Sequence, residues 1–227
     1  LKAGFYQDLK EVVEAEEHPI ERARLLGTFM RSSGVSKIVV KDIENGGGDA
    51  VLKQVRKLED VAARRLILSE LFTSQTIIAA FYKAGHFAEL QQLVKDETDA
   101  EAQAKLRAFL YGNPWVVEGM LKSGQGEQWL KIACEQTNEH YRGRFLACLS
   151  YQGSTPLNFV EQGHLTGLLS LADSTEDDNK RNRFLFGQLF AYSSLLKLVL
   201  EREEFEEIVE YVEREKHPAT QQKLAKW

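Results

Sequence analysis

The stretch Lys105–Gly124, KLRAFLYGNPWVVEGMLKSG, has the pattern of a corner between two helices. Gly112 disfavours continuation of the first helix, because glycine loses more backbone entropy on ordering than any other residue. Asn113 is a preferred N-cap residue, and Pro114 suits the first helical position, where its missing N–H has no intrahelical partner to lose. Apolar residues recur over Trp115–Leu121 with the spacing of a buried helical stripe. The stretch therefore predicts one helix, a sharp break and a second, buried helix.

Residues around this corner recur along the chain with a period of 39. Four sets keep this spacing: Gly85, Gly124 and Gly163; Phe81, Met120 and Phe159; Leu93, Ile132 and Leu171; and Leu106, Phe145 and Phe184. A period near 40 residues is typical of α-solenoids of the armadillo or HEAT kind, in which each group of helices buries its apolar face on its neighbours. We therefore predict an all-α fold, an armadillo-like right-handed α-solenoid (superhelix).

The repeat pattern also predicts how the chain is organised. Residues 1–48 are predicted to form an N-terminal helical cap with a degenerate first repeat. Residues 49–227 are predicted to form about four armadillo-like repeats, with a period near 39, that end in capping helices. Because the first residue is Leu1 and not methionine, we expect the chain to be a piece of a longer protein.

The least regular part of the pattern lies between residues 35 and 48. The β-branched run Ile38–Val40 is compatible with a strand, but the helical surroundings favour the short first helix of a degenerate repeat. The glycine-rich run Asn45–Gly48 lacks the Lys-Ser/Thr pair of a phosphate-binding P-loop. Gly47 lies 38 residues before Gly85, so we interpret it as the turn glycine of the first repeat.

Composition narrows the classes of function. The formal net charge of −5 provides no general basic field for nucleic acid. The sequence has no run of about 18 apolar residues, so we expect no membrane insertion. Cys134 and Cys148 lie in apolar helical contexts, and we expect buried free thiols rather than a disulfide.

No group of residues has the spacing of a catalytic or metal site. The motifs HExxH, CxxC, GxSxG and DxDxDG do not occur in the sequence. His86 and His164 each follow a turn glycine, two repeats apart, which indicates structural turn residues rather than an acid–base pair. The acidic run at residues 173–178 could hold a cation weakly, but we favour an N-cap role for the next helix. We therefore predict a protein that is not an enzyme and has no cofactor and no metal site.

Each repeat is predicted to contain a short, a medium and a long helix, as in armadillo repeats. The third, long helices, predicted at Ala100–Tyr111, Glu139–Tyr151 and Asp177–Tyr192, carry basic and aromatic residues in register. Arginine and tyrosine are enriched in protein-binding hot spots, so we predict that this set lines a concave surface and binds a protein partner. The predicted partner-binding residues are Lys105, Tyr111, Arg142, Arg144, Tyr151, Arg181, Arg183 and Tyr192. The alternative is that the arginine stems cover apolar surface on a solvated face.

The corner sequence also resembles a narrower family. Armadillo-type Hsp70 nucleotide-exchange factors, the Sil1/HspBP1/Fes1 group, carry an Asn-Pro-x-Val-type corner at this place in the repeat. The matching residues here are Asn113, Pro114, Val116 and Val117. The segment AAFYKAGHFAELQQLV is similar to the first armadillo turn of that family. Downstream, LKIACEQ, GRFLACLS and LNFVEQGHLTGLLSL resemble its third repeat and the glycine turn that follows. The resemblance covers about residues 58–172 and is closer to the Sil1 branch, which acts on the Hsp70 of the endoplasmic reticulum.

The resemblance implies a surface that grips one lobe of the Hsp70 ATPase domain and releases ADP by binding the open conformer more tightly. It implies the lumen of the endoplasmic reticulum for a Sil1-like protein, and otherwise the cytoplasm. Two motifs differ from the family: Gln75–Ile78 replaces its Asp-Asn-Ala, and Gly-His replaces its Gly-Gly turns at residues 85 and 163. The alternative is therefore a generic armadillo adaptor or a structural subunit of a larger assembly.

Overall fold

The computed structural model describes residues 11, 15–31, 33–149, 154–191, 193–202, 204–215, 218–224 and 226. Every regular element within these ranges is helical, which confirms the all-α prediction. The β-branched run Ile38–Val40 lies inside a helix, Ser33–Asp42, as favoured from the sequence, and not in a strand. None of the described helices has the length and apolar character needed to cross a membrane.

The chain divides into two compact units, Leu1–Trp115 and Val116–Trp227. The described helices up to the boundary are α1 (Pro19–Arg31), α2 (Ser33–Asp42), α3 (Gly48–Lys57), α4 (Val61–Thr73), α5 (Gln75–Lys83), α6 (Phe87–Lys95) and α7 (Ala100–Tyr111). The boundary falls near the start of α8 (Pro114–Lys122). The helices after it are α9 (Gly126–Cys134), α10 (Glu139–Leu149), α11 (Thr155–Glu161), α12 (Leu165–Asp173), α13 (Asp178–Phe184), α14 (Ser193–Glu201), α15 (Phe205–Arg214) and α16 (Pro218–Leu224). The predicted boundary between an N-terminal cap (residues 1–48) and the repeats (residues 49–227) stays a prediction.

Within each unit, a helix packs on the third helix after it. In the first unit α1 packs on α4, α4 on α7, and α2 on α5. In the second unit α9 packs on α12, α10 on α13, and α11 on α14. The local repeat therefore consists of three helices in both units. We call α2, α5, α8, α11 and α14 first helices, α3, α6, α9, α12 and α15 second helices, and α4, α7, α10 and α13 third helices.

The apolar residues that keep the 39-residue spacing form much of the core. Phe81, Met120 and Phe159 at the ends of first helices are fully buried. The set on the third helices, Leu106, Phe145 and Phe184, is buried as well. In the remaining set Leu93 and Leu171 are buried and Ile132 is half-buried. The period seen in the sequence is therefore a period of core positions.

A glycine with a left-handed backbone follows the first helix in four repeats. The φ angles are 98° at Gly46, 87° at Gly85, 73° at Gly124 and 80° at Gly163. Only glycine enters this region at little cost. The four glycines are 39 residues apart, so the turn glycine of the first repeat is Gly46 and the interpretation of Gly47 was wrong by one residue. Gly47 has φ −72°, a value that any residue adopts.

Two backbone hydrogen bonds close each of the last three turns. At Gly85, the His86 amide donates to the Phe81 carbonyl at 2.9 Å and the Gly85 amide donates to the Tyr82 carbonyl at 3.1 Å. The equivalent pairs are Gln125 to Met120 (2.8 Å) with Gly124 to Leu121 (3.0 Å), and His164 to Phe159 (3.0 Å) with Gly163 to Val160 (2.9 Å). This Schellman arrangement gives partners to carbonyls that a helix end leaves unpaired.

The corner at Asn113 forms as the sequence predicts. Asn113 is fully buried, and its Oδ1 accepts a hydrogen bond from the Trp115 amide at 3.1 Å. Its Nδ2 donates to the Gln75 carbonyl at 2.9 Å. Pro114 is the first residue of α8. The Asn113 side chain therefore caps one helix and also ties the corner to the start of α5.

Third helices begin at a polar residue that recurs every 39 positions. The side-chain Oδ1 atoms of these residues accept hydrogen bonds from backbone amides three residues later. The pairs are Asp60 with Ala63 (2.8 Å), Asp99 with Ala102 (2.8 Å), Asn138 with Tyr141 (3.2 Å) and Asp177 with Lys180 (3.1 Å). The N-cap role predicted for the acidic run at residues 173–178 is confirmed for Asp177.

Replacing Asn113 by alanine is expected to lower the free energy of unfolding by about 1–3 kcal/mol, because the N-cap and the bond to the Gln75 carbonyl are both lost. The measurement is chemical denaturation followed by helical circular dichroism. Asp60→Ala is the matched control, since it removes an exposed N-cap and is expected to cost about 1 kcal/mol or less. Equal losses at the two positions would contradict the double role of Asn113.

Candidate functional site

The predicted partner-binding residues that the structure describes lie on third helices. Arg142 and Arg144 lie on α10, and Arg181 and Arg183 lie on α13, which packs on α10 in the second unit. Lys105 and Tyr111 lie on α7 in the first unit. The predicted Tyr151 and Tyr192 lie outside the described residues.

Arg142 binds backbone carbonyls of two consecutive repeats. Its Nε and one terminal nitrogen donate to the Gln136 carbonyl at 2.9 Å and 2.7 Å. The other terminal nitrogen donates to the Ser174 carbonyl and lies 3.4 Å from Glu139 Oε2. Only 15% of the side chain is exposed. Arg142 therefore connects the loop before α10 to the loop before α13.

Arg181 has an equivalent role one repeat later. One terminal nitrogen lies 2.9 Å from Asp178 Oδ1 and 3.3 Å from Glu215 Oε1. The Glu215 side chain is only 2% exposed, and a carboxylate at such a position is costly without a cation beside it. Arg181 therefore joins α13 to the residue that follows α15, and its guanidinium has intramolecular partners as that of Arg142 does.

Arg144 and Arg183 differ from these two arginines in their surroundings. Arg144 is half-buried, and burial lowers the pKa of its guanidinium. Arg183 is exposed. The two helices that carry them pack on each other, and the Lys180 side chain lies over Gly143, where a Cβ would be 2.6 Å from Lys180 Cδ. An exposed and a half-buried arginine therefore lie on neighbouring third helices, one repeat apart.

In the first unit, Lys105 and Tyr111 both have partners within α4–α7. Lys105 Nζ donates to Ser69 Oγ at 2.7 Å. Tyr111 is buried, its hydroxyl accepts a hydrogen bond from Gln91 Nε2 at 2.9 Å, and its ring meets Phe87 edge to face at 6.0 Å. Burial raises the pKa of the Tyr111 hydroxyl. Tyr111 therefore takes part in packing, and Lys105 links two third helices.

A further set of residues with the 39-residue spacing was missed in the sequence. Glu97, Gln136 and Thr175 are all buried in the loop between a second and a third helix. Glu97 receives two hydrogen bonds from Arg65, at 2.8 Å and 3.2 Å, and one from the Asp99 amide at 2.9 Å. A polar residue in a predicted loop is expected to be exposed, and only the shared spacing of the three positions could have indicated their burial.

The ion pair of Glu97 predicts how stability depends on pH. The hydrogen bonds from Arg65 hold the pKa of Glu97 below its usual value in the folded chain. The unfolded chain therefore binds a proton at a higher pH than the folded chain does. The contribution of Glu97 to stability is complete above the usual glutamate pKa. It is lost as the pH falls through the lower pKa that Glu97 has in the folded chain.

Glu97→Gln is accordingly expected to destabilise the protein at pH 7, and its effect is expected to shrink as the pH falls below the usual glutamate pKa. The measurement is the melting temperature of parent and variant at several pH values between 7 and 3. Glu101→Gln, at an exposed position of α7, is the control, and its melting temperature should match that of the parent at both pH 7 and pH 3. If the difference in melting temperature between the parent and Glu97→Gln stayed constant over this pH range, the lowered pKa of Glu97 in the folded chain would be contradicted.

The two cysteines are free thiols, as predicted. Cys148 is buried and Cys134 is half-buried. Burial raises the pKa of both thiols. Since the thiolate is the reactive form, neither group is activated for nucleophilic attack.

Comparison of the chain with protein-family models, with curated proteins and with solved structures finds no match in any of the three. The resemblance to Hsp70 exchange factors therefore depends on the corner at Asn113 and on its flanking segments alone.

Proposed function

We propose that the chain is a non-enzymatic protein-binding module, an armadillo-like right-handed superhelix, whose partner is the ATPase domain of an Hsp70-family chaperone. The observation that carries the binding proposal is the position of Arg144 and Arg183 on the packed helices α10 and α13. The choice of an Hsp70 as partner is supported only by the resemblance of the corner Asn113–Val117 and its flanking segments to the exchange factors.

Two arginines one repeat apart suit a partner that presents carboxylates. Neighbouring helices pack with their axes about 8–10 Å apart, so both guanidinium groups can reach one protein surface. A guanidinium offers planar, multi-donor contacts that match carboxylates in a bidentate way. The half-buried Arg144 also has less freedom to lose on binding than a fully exposed side chain, which reduces the entropic cost.

An exchange factor acts by differential affinity. A protein that binds the open, nucleotide-free conformer of the ATPase domain more tightly than the closed one shifts the population toward the open conformer. ADP then leaves faster, and the same linkage means that ATP weakens the complex. The predicted module needs no catalytic group for this activity.

The experiment combines binding with nucleotide release. The purified chain is mixed with the isolated ATPase domain of an Hsp70 that is loaded with a fluorescent ADP, and the rate of ADP release is measured by stopped flow. We expect a faster release and a complex that dissociates when ATP is added. An unchanged rate together with no complex by size-exclusion chromatography, tested with cytosolic and endoplasmic-reticulum Hsp70, would refute the Hsp70 proposal.

The second candidate is a generic armadillo adaptor or a structural subunit. It is favoured by Gln75–Ile78, which replaces the polar Asp-Asn-Ala of the exchange factors. Ile77 and Ile78 are both buried, so this part of the chain serves the core of the first unit. A stable complex with a non-chaperone protein that persists in ATP would support this candidate over the first.

A further inference from the structure

Three potential metal ligands meet in the first unit, at the start of two consecutive second helices. His86 Nδ1 lies 3.6 Å from Asp49 Oδ1 and 3.6 Å from Glu89 Oε1. The three ligand atoms all lie within 4.8 Å of one another. These separations are too long for hydrogen bonds. Two ligands of a tetrahedral Zn²⁺, each about 2.0–2.1 Å from the ion, are roughly 3.4 Å apart, which is close to the observed spacing.

The imidazole of His86 is held by packing on its other side. A Cβ at Gly48 would lie 2.7 Å from His86 Nε2, so this nitrogen rests against the backbone of α3. The ring also meets Phe81 edge to face at 5.9 Å. Only 12% of the His86 side chain is exposed. The ring is therefore oriented in advance, with Nδ1 toward the two carboxylates, and little side-chain freedom is lost when a metal binds.

The carboxylates leave the ligand set open to solvent. The Asp49 side chain is 83% exposed and that of Glu89 is 35% exposed. A cation can reach the three atoms from bulk water, and water can complete its coordination. Asp49 lies in the first turn of α3, and Glu89 lies in the first turn of α6. An ion bound here would connect two consecutive repeats.

The second unit contains the same histidine turn without the third ligand. The positions 78 residues later are Glu127, His164 and Gly167. His164 packs on Gly126, where a Cβ would lie 2.8 Å from its Nε2, and on Phe159 at 6.1 Å, as His86 packs on Gly48 and Phe81. Gly167 has no side chain, and a Cβ there would lie 2.6 Å from Leu130 Cδ1. The histidine turn thus recurs two repeats later, but His164 has no carboxylate at the position that corresponds to Glu89.

We propose that Asp49, His86 and Glu89 bind one Zn²⁺ ion, with water as the remaining ligand. One imidazole nitrogen and two carboxylate oxygens are ligands that zinc uses in proteins, and three protein ligands plus water is a known arrangement for it. The bound ion links the first turn of α3 to the first turn of α6. The sequence predicts no metal site because Asp49 precedes His86 by 37 residues, a spacing that matches no known ligand motif.

The test is isothermal titration of the metal-free chain with ZnCl₂, with the melting temperature measured in parallel. We expect one zinc ion per chain and a higher melting temperature. Asp49→Asn and Glu89→Gln are each expected to weaken zinc binding at least about tenfold, since even second-shell changes cost 10–100-fold in metal affinity. The matched control is Glu127→Gln, which changes the equivalent position in the second unit and should leave zinc binding unchanged.

A second measurement locates the ion. Long-range ¹H–¹⁵N spectra report the two ring nitrogens of each histidine, and zinc is expected to shift the Nδ1 signal of His86 and to leave His164 unchanged. Circular dichroism establishes that each variant keeps its helical content. The proposal is overturned if the parent shows no saturable binding, if Asp49→Asn and Glu89→Gln bind zinc as the parent does, or if zinc perturbs His164 instead of His86.

Discussion

Phe145→Ala is expected to lower the free energy of unfolding by about 3–5 kcal/mol, the range for a buried phenylalanine truncated to alanine. Phe145 is fully buried on α10 and meets the Trp129 ring at 5.6 Å. Trp129 in turn packs on Phe159 at 5.3 Å. Removing the phenyl group leaves a cavity beside the Trp129 ring, and closely packed neighbours cannot close it without losing other contacts.

The measurement is urea denaturation followed by circular dichroism and by tryptophan fluorescence. His140→Ala is the matched control, because His140 lies on the same helix but is exposed, and its effect should stay within about 0.5 kcal/mol. Leu106→Ala, at the equivalent position of α7 in the first unit, is expected to cost about 2–5 kcal/mol. Near-neutral results at both Phe145 and Leu106 would mean that the register of the repeat is wrong.

Replacing Arg144 and Arg183 together by glutamate is expected to abolish partner binding under the proposed function. Two cations that face the carboxylates of the partner become two anions, and like charges brought together at an interface oppose association. Binding by the parent chain is also expected to weaken with salt, because exposed charges are screened beyond about 10 Å at 0.1 M ionic strength. Affinity is measured by titration calorimetry or surface plasmon resonance at two salt concentrations.

The control must carry the same change in net charge at another surface. Lys122→Glu with Lys131→Glu provides it, because both lysine side chains are 74% exposed and lie on α8 and α9. This double variant should bind the partner as the parent does. The single variant Arg183→Glu separates binding from folding, since Arg183 is exposed whereas Arg144 is half-buried. Normal binding by the Arg144 and Arg183 double variant, with an early melting transition, would contradict the binding surface and favour arginines that serve packing.

The sequence by itself determined those features whose partners lie within one turn or corner. Asn113 caps the helix that begins at the next residue, and Asp177 caps the helix that begins at Asp178. The 39-residue spacing of apolar residues is enough to identify core positions such as Phe145. A helix cap depends on residue types that are adjacent in the sequence, and core burial depends on the regular spacing of apolar residues. Both can therefore be predicted from a single sequence.

The tertiary structure decided the features that depend on which repeat lies beside which. The spacing of Arg142 and Arg181 suggests one exposed row with Arg144 and Arg183, yet their guanidinium groups reach Ser174 and Glu215, more than thirty residues later. In the same way Asp49 meets His86 only because consecutive repeats stack. An arginine on a helix surface can point to solvent or to a neighbouring loop with the same local sequence. The packing of the next repeat determines which of the two occurs, because it decides where a carbonyl or carboxylate is buried and needs a donor.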